Sequence, residues 1–154
     1  MTADLSPNAS RFAPLSEPSR QVWSGFGAWG RTYFPSLVGI SVEELRTDYA
    51  RMRLPFRAEL EQPGGPVHGG AIATLIDTVV VPAVGSAYPA VPLMLTLSLS
   101  INYLAAVMGT DAVAEGWVVR RGRSIVFSQV EVREAGRGEL AATASLVYKV
   151  RETS

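Results

Sequence analysis

The stretch GGPVHGGAIATLIDTVVV, Gly64 to Val81, holds the chain's one histidine, His68, followed by two glycines and a lone acid, Asp77, in an otherwise apolar run. An unpaired carboxylate among isoleucines and valines costs several kcal/mol and usually shifts its titration. Buried acids of this kind concentrate where chemistry is done. Asp77 therefore suits a general base or a nucleophile. A hydrogen bond to a backbone group, or a stripe turned to solvent, would also account for it.

His68 and Asp77 differ by nine positions, roughly 180° around an ideal helix, so both cannot sit on one helical face. His68 is expected just before the helix, with Gly69 and Gly70 at its first positions. Their N–H groups then lack intrahelical partners and carry the positive end of the helix dipole. Without a Cβ they let a carbonyl oxygen approach closely. That describes an oxyanion hole, commonly about 2.7–4 kcal/mol per donor. Two glycines that only ease a loop into a helix would give the same letters.

The elements that must position these groups follow from periodicity. Gly69 to Gly85 is continuously apolar and long, which predicts a buried helix, loosened at Pro82. Its polar residues Thr74, Asp77 and Thr78 stand at i, i+3 and i+4, with Gly70 on the same stripe. Downstream, "LMLTLSLSINY" alternates strictly, and "DAVAEGWVVR", "SIVFSQVEVRE" and "ELAATASLVYKV" follow across Gly-containing turns, which predicts an antiparallel meander. Upstream, Ser41-x-x-Glu44 fits a capping box, but "TDY" favours a hairpin with strands near 38–46 and 49–56. "SRQVWSGFGAWGRTYF" predicts a short helix. Within it Gly25-x-Gly27-x-x-Gly30 matches a dinucleotide fingerprint, without the preceding strand that fingerprint needs. One all-round apolar helix and a run of strands imply an α+β fold, a curled antiparallel sheet around a central helix.

Composition narrows the function classes. The chain has 154 residues, 47% of them hydrophobic, which suits one domain. Residues 1–18, rich in Pro, Ser and Ala, predict a flexible arm, and 19–154 a single domain. The absence of cysteine removes disulfides, thiolate catalysis and Cys-ligated metals, and one histidine excludes a His-rich metal site within the chain. Fourteen basic and fourteen acidic residues leave no net charge to argue for nucleic acid. No signal peptide and no apolar run of membrane-spanning length is present, so the expected setting is cytoplasmic, with no membrane partner.

Val67-His68-Gly69-Gly70 followed by Asp77, then "LTLSLSINYL", then "VVRRGRSIVFSQVEV" resembles the hotdog-fold thioesterases, in particular their PaaI-like branch. The resemblance covers roughly residues 36 to 150. It implies hydrolysis of an acyl-coenzyme A thioester with no metal or cofactor, at a site shared between two subunits of a homodimer, often paired into a homotetramer. It assigns Asp77 to attack or water activation, the Gly69 N–H to the carbonyl, and His68 to holding the loop. It places Thr96 where a Ser or Thr orients the water or the acid, and Gln62 where an amide holds the water. Ser98 stands where an acid is common. Thr96 could equally be a hydroxyl on the polar side of a strand, and Gln62 a surface loop residue. Gly70 and Thr78 belong with the substrate stripe. The basic turn Arg120, Arg121, Gly122, Arg123 and Ser124 offers guanidinium groups for the phosphates of coenzyme A; a solvated turn is the plainer reading.

Overall fold

The run after His68 folds as expected. In the computed structural model, which describes residues 8–153, helix α3 spans Gly69–Gly85 and buries Leu75, Ile76, Val79, Val80, Ala83 and Val84 completely. Six strands supply the surface it lies on: β1 (Ser41–Arg46), β2 (Tyr49–Leu54), β3 (Leu93–Tyr103), β4 (Ala112–Arg121), β5 (Ile125–Glu134) and β6 (Leu140–Arg151). They form one sheet in the order β1-β2-β4-β5-β6-β3, every neighbouring pair antiparallel. The helix packs chiefly on β2 and β4, then on β5, and barely reaches β3. One long edge strand is therefore left with its inner face largely uncovered.

The hairpin reading of residues 38–56 holds, and Ser41 and Glu44 lie in β1. The chain turns at Thr47-Asp48, where Asp48 takes φ +65°, a left-handed conformation that Asp tolerates. The expected single helix over the aromatic segment is two short ones, α1 (Glu17–Trp23) and α2 (Phe34–Leu37), separated by the glycine-rich turn. Helix α1, not a strand, precedes Gly25, so the dinucleotide fingerprint has no phosphate-binding context. Trp23 is 3% exposed and packs against Gly85, where a Cβ would come within 2.0 Å of its ring.

Residues 1–7 of the expected arm lie outside the described residues. From Asn8 onward the segment is packed: Ala9 is buried, Phe12 stacks on Tyr49 with ring centroids 5.3 Å apart, and Thr47 donates its N–H to Ala13 O at 3.0 Å. Its Pro and Ser residues follow an ordered path across the outer face of β2.

Strand β3 corrects the simplest view of its alternation. Thr96 pairs with Tyr148 but Ser98 pairs with Val147, so Leu97 is an extra residue, a β-bulge. The bulge exchanges faces. Met94 and Thr96 point inward before it; Leu99, Ile101 and Tyr103 point inward after it, opposite the buried Leu146, Ala144 and Ala142. Without the bulge, Thr96 and Tyr103 could not both face the helix.

Candidate active site

Helix α3 begins at a cap made by the histidine. His68 takes extended backbone angles (φ −59°, ψ 135°), and its Nδ1 accepts the Gly70 N–H at 2.8 Å. Its own N–H donates to Leu60 O at 2.7 Å, fixing the loop to the preceding segment. Nδ1 is thus the accepting nitrogen of the cap and carries no hydrogen. Contrary to expectation, the Gly70 N–H serves the cap and is not a second oxyanion donor. Among the described residues nothing accepts from the Gly69 N–H. Tyr103, from the inner face of β3, donates its hydroxyl to Gly69 O at 2.7 Å and stands beside the glycine Cα. The result is one free, polarised N–H on a braced first turn.

The polar stripe of α3 separates into two kinds of residue. Thr74 donates its hydroxyl to Gly70 O at 2.8 Å, and Thr78 to Thr74 O at 2.7 Å, each satisfied by its own helix. Thr78 is also 7% exposed, so it is not a substrate contact as expected from the stripe. Asp77 alone looks outward for partners. Its Oδ1 accepts from Thr96 Oγ1 at 2.9 Å and from Tyr148 Oη at 2.7 Å. Its Oδ2 has no partner among the described residues.

Tyr148 is the residue that sequence reasoning missed. It is 2% exposed, on the inner face of β6, and its hydroxyl also lies 3.0 Å from the Asp77 backbone carbonyl. Burial pushes its phenol far above the ordinary tyrosine range; the Thr96 hydrogen bond pulls the other way, and the Asp77 charge adds to the rise. Tyr148 therefore keeps its proton and donates a hydrogen bond to the carboxylate. The available signal was parity: Leu146, Tyr148 and Val150 share the buried face of one strand, and a buried phenol needs an acceptor.

Two consequences are measurable. Below the unfolded tyrosine value of 10.0 the proton stays on in both states; above it only the unfolded chain releases it, so stability is lost as pH rises. Tyr148→Phe is expected to flatten the loss of melting temperature between about pH 9 and 11 relative to the parent. The same variant is expected to lower kcat roughly tenfold with KM unchanged, because it frees the carboxylate to rotate without touching substrate.

The basic turn divides by strand parity. Arg121 pairs with the buried Val126 and points inward, donating to Asp48 Oδ1 at 2.5 Å, Val84 O at 2.9 Å and Tyr88 Oη at 3.0 Å. It clamps the carboxyl end of α3, with both terminal nitrogens engaged within the fold. Arg120 and Arg123 are exposed and carry no ion pair among the described residues. Gly122 closes the hairpin, its N–H donating to Ile125 O at 2.8 Å, and the Ser124 side chain is exposed. Arg121→Ala is expected to cost about 2 kcal/mol of stability, from charge-assisted hydrogen bonds; Arg120→Ala and Arg123→Ala leave thermal melting unchanged.

Gln62 is exposed and lines a cleft of about 350 Å³ together with Gly69 and Tyr103, so it lies at the Gly69 end of the site. Asp77 is at the other. Gly69 and Asp77 are eight positions apart on the helix, about 12 Å along the axis. One carbonyl group cannot touch both within a single chain.

The sequence model of the thioesterase superfamily matches residues 64–141, from the glycine loop through β3, β4 and β5 into the first strand residues of β6. The chain belongs to the thioesterase superfamily. A candidate esterase of Halobacterium salinarum is 37% identical over 102 residues, 63% of this chain and 67% of that protein. Among solved structures, the conserved protein PA5202 of Pseudomonas aeruginosa superposes with a TM-score of 0.73 at 29% identity, over 79% of this chain and 95% of that one. The PaaI protein from the phenylacetic acid degradation operon of Escherichia coli superposes with a TM-score of 0.79 at 16% identity, over 91% and 98%. The fold expected from the resemblance is present: a hotdog fold, one antiparallel sheet around α3. This superfamily membership supports a thioester or ester hydrolase. No helix among the described residues is long and apolar enough to cross a membrane.

Proposed function

We propose that this protein hydrolyses an acyl-coenzyme A thioester at a site assembled from two protomers. The observation that carries the reading is the pairing of an unengaged Asp77 Oδ2 with an unengaged Gly69 N–H that lie too far apart to meet in one chain. A two-fold dimer solves the distance, because each site takes Gly69 from one protomer and Asp77 from its partner. Strand β3 supports such a dimer. It is an 11-residue edge without a single charge, and Leu95, Leu99 and Tyr103 are 54, 38 and 54% exposed. An edge of that kind is a template for pairing with another strand. Pairing β3 with its copy also covers the bare inner face beside Asp77.

The chemistry follows from the two groups. The Asp77 carboxylate, held at Oδ1 by Thr96 and Tyr148, presents Oδ2 to a water and removes its proton. The resulting hydroxide adds to the thioester carbon, and the carbonyl oxygen becomes an oxyanion on the Gly69 N–H. Collapse breaks the C–S bond, and the leaving thiolate takes the proton back to give the free acid and coenzyme A thiol. Direct attack by Oδ2 gives an acyl–Asp77 anhydride that water then cleaves to the same products. Single turnover in ¹⁸O-water separates the routes, since only the anhydride route can leave label in Asp77. The exposed Arg120 and Arg123 fit the phosphates of coenzyme A. One water is consumed, and one free acid and one thiol are released, with no further reactant.

The test is subunit complementation. Asp77→Asn and Gly69→Pro variants are each expected to be inactive in thiol release from acyl-coenzyme A. Mixed and allowed to exchange, half the dimers are mixed and each carries one intact site, so about a quarter of the wild-type activity returns. No return of activity, with exchange confirmed by a mass-tagged protomer, would end the shared-site reading.

A further inference from the structure

The cleft beside Gly69 has walls of one chemical kind. Ile72, Leu104, Ala105, Ala106, Val107 and Ala141 enclose most of its roughly 350 Å³. No charged side chain lines it. Its two polar side chains are Tyr103, whose hydroxyl is engaged by Gly69 O, and Gln62 at the rim. The cleft is also firmly built. Leu104 and Ala105 both donate their N–H to Ala141 O, at 2.8 and 3.2 Å, and Val67 donates to Val107 O at 2.9 Å. The loop after β3 is thereby tied to β6 on one side and to the loop before α3 on the other. Three alanines among its lining residues leave the room.

A thioester whose carbonyl oxygen meets the Gly69 N–H sends two substituents in different directions. The thiol side carries amides and then phosphates, which need hydrogen-bond partners and cations. The cleft supplies neither. The exposed cations Arg120 and Arg123 stand on the β4–β5 hairpin, at the far end of α3, where Arg121 meets Val84 O. Antiparallel pairing of β3 with its copy would carry the partner's hairpin toward this chain's Gly69 end, placing phosphate contacts opposite the cleft.

Resting on the thioesterase reading above, we propose that this cleft receives the acyl group, that the acyl group is uncharged and apolar, and that Ala105, Ala106 and Ala141 set the length accepted. Ala106 is exposed, so a larger side chain there fills the cleft without entering the core.

The experiment measures kcat/KM for a series of straight-chain coenzyme A esters from acetyl to decanoyl, on the parent, Ala106→Phe and Ala105→Leu, with melting temperatures recorded for each. For the parent, kcat/KM is expected to climb about fourfold per methylene over the first several carbons. Ala106→Phe is expected to lose roughly tenfold or more on decanoyl-coenzyme A and to stay within about twofold on the acetyl ester. Ala105→Leu gives the same pattern should the first variant melt early. Equal losses on short and long esters would assign the cleft to the shared thiol half, and no change on either would empty it of any role; both overturn the proposal. A parent that releases no thiol from any ester ends the hydrolase reading instead. The cleft is then judged from calorimetric binding of decanoyl- against acetyl-coenzyme A. A preference for decanoyl that Ala106→Phe removes supports it, and equal affinities overturn it.

Discussion

Asp77→Asn is expected to fold normally and to lose roughly 10²-fold or more in kcat, with KM for the thioester nearly unchanged. The substitution is close to isosteric. The amide oxygen can still accept from Thr96 Oγ1 and Tyr148 Oη, the contacts that hold Oδ1 at 2.9 and 2.7 Å. What disappears is the negative oxygen at Oδ2, which neither removes a proton nor attacks a carbon once it is an NH₂ group. A loss confined to kcat locates the carboxylate in the chemical step; a rise in KM alone would make it a binding group. Unchanged turnover in a folded variant would remove Asp77 from the mechanism. Tyr148→Phe, with its smaller loss, then ranks the two: the carboxylate reacts, and the phenol positions it.

What could be read in the chain was what one physical constraint fixes by itself. A carboxylate on an apolar helix demands a partner, so Asp77 was legible, and His-Gly-Gly at a helix start marked the opposite pole. Helix α3 matched its expected limits because glycine bounds it at both ends. The misreadings came from features that depend on pairing. The alternation of "LMLTLSLSINY" is unbroken as text, yet the bulge at Leu97 reverses which residues face inward, and only the register with β6 shows it. Arg120 and Arg121 are adjacent, so they face opposite sides of β4. Which of them meets Val84 O and Asp48 is decided by the irregularity between Val118 and Arg120. Thr78 looked like a substrate contact because its helical stripe contains Asp77, whereas a threonine hydroxyl can satisfy itself on the carbonyl four residues back. Two glycines at a helix start suggest two oxyanion donors, but the His68 imidazole takes the Gly70 N–H.

The sharpest discrimination at the oxyanion end comes from proline. Gly69 is the first residue of α3, the helical position proline occupies most readily, since its N–H has no intrahelical acceptor to lose. His68 already holds the extended angles that a residue before proline requires. Gly69→Pro therefore deletes one hydrogen from the site while leaving the helix, the His68 cap on Gly70 and the Tyr103 bond to Gly69 O with the geometry they have. The expected result is a fall in kcat of roughly 10²–10³-fold, the magnitude seen when a single oxyanion donor is removed. Gly69→Ala is the companion measurement. It keeps the N–H and adds a Cβ whose nearest neighbour is the Tyr103 ring at 3.4 Å, ordinary contact, so any loss it shows reports crowding of the substrate. Proline far worse than alanine assigns the effect to the hydrogen bond, and equal losses assign it to space. Full activity in Gly69→Pro would mean that the developing negative charge is stabilised elsewhere, because no oxyanion can be held by an N–H that is no longer there.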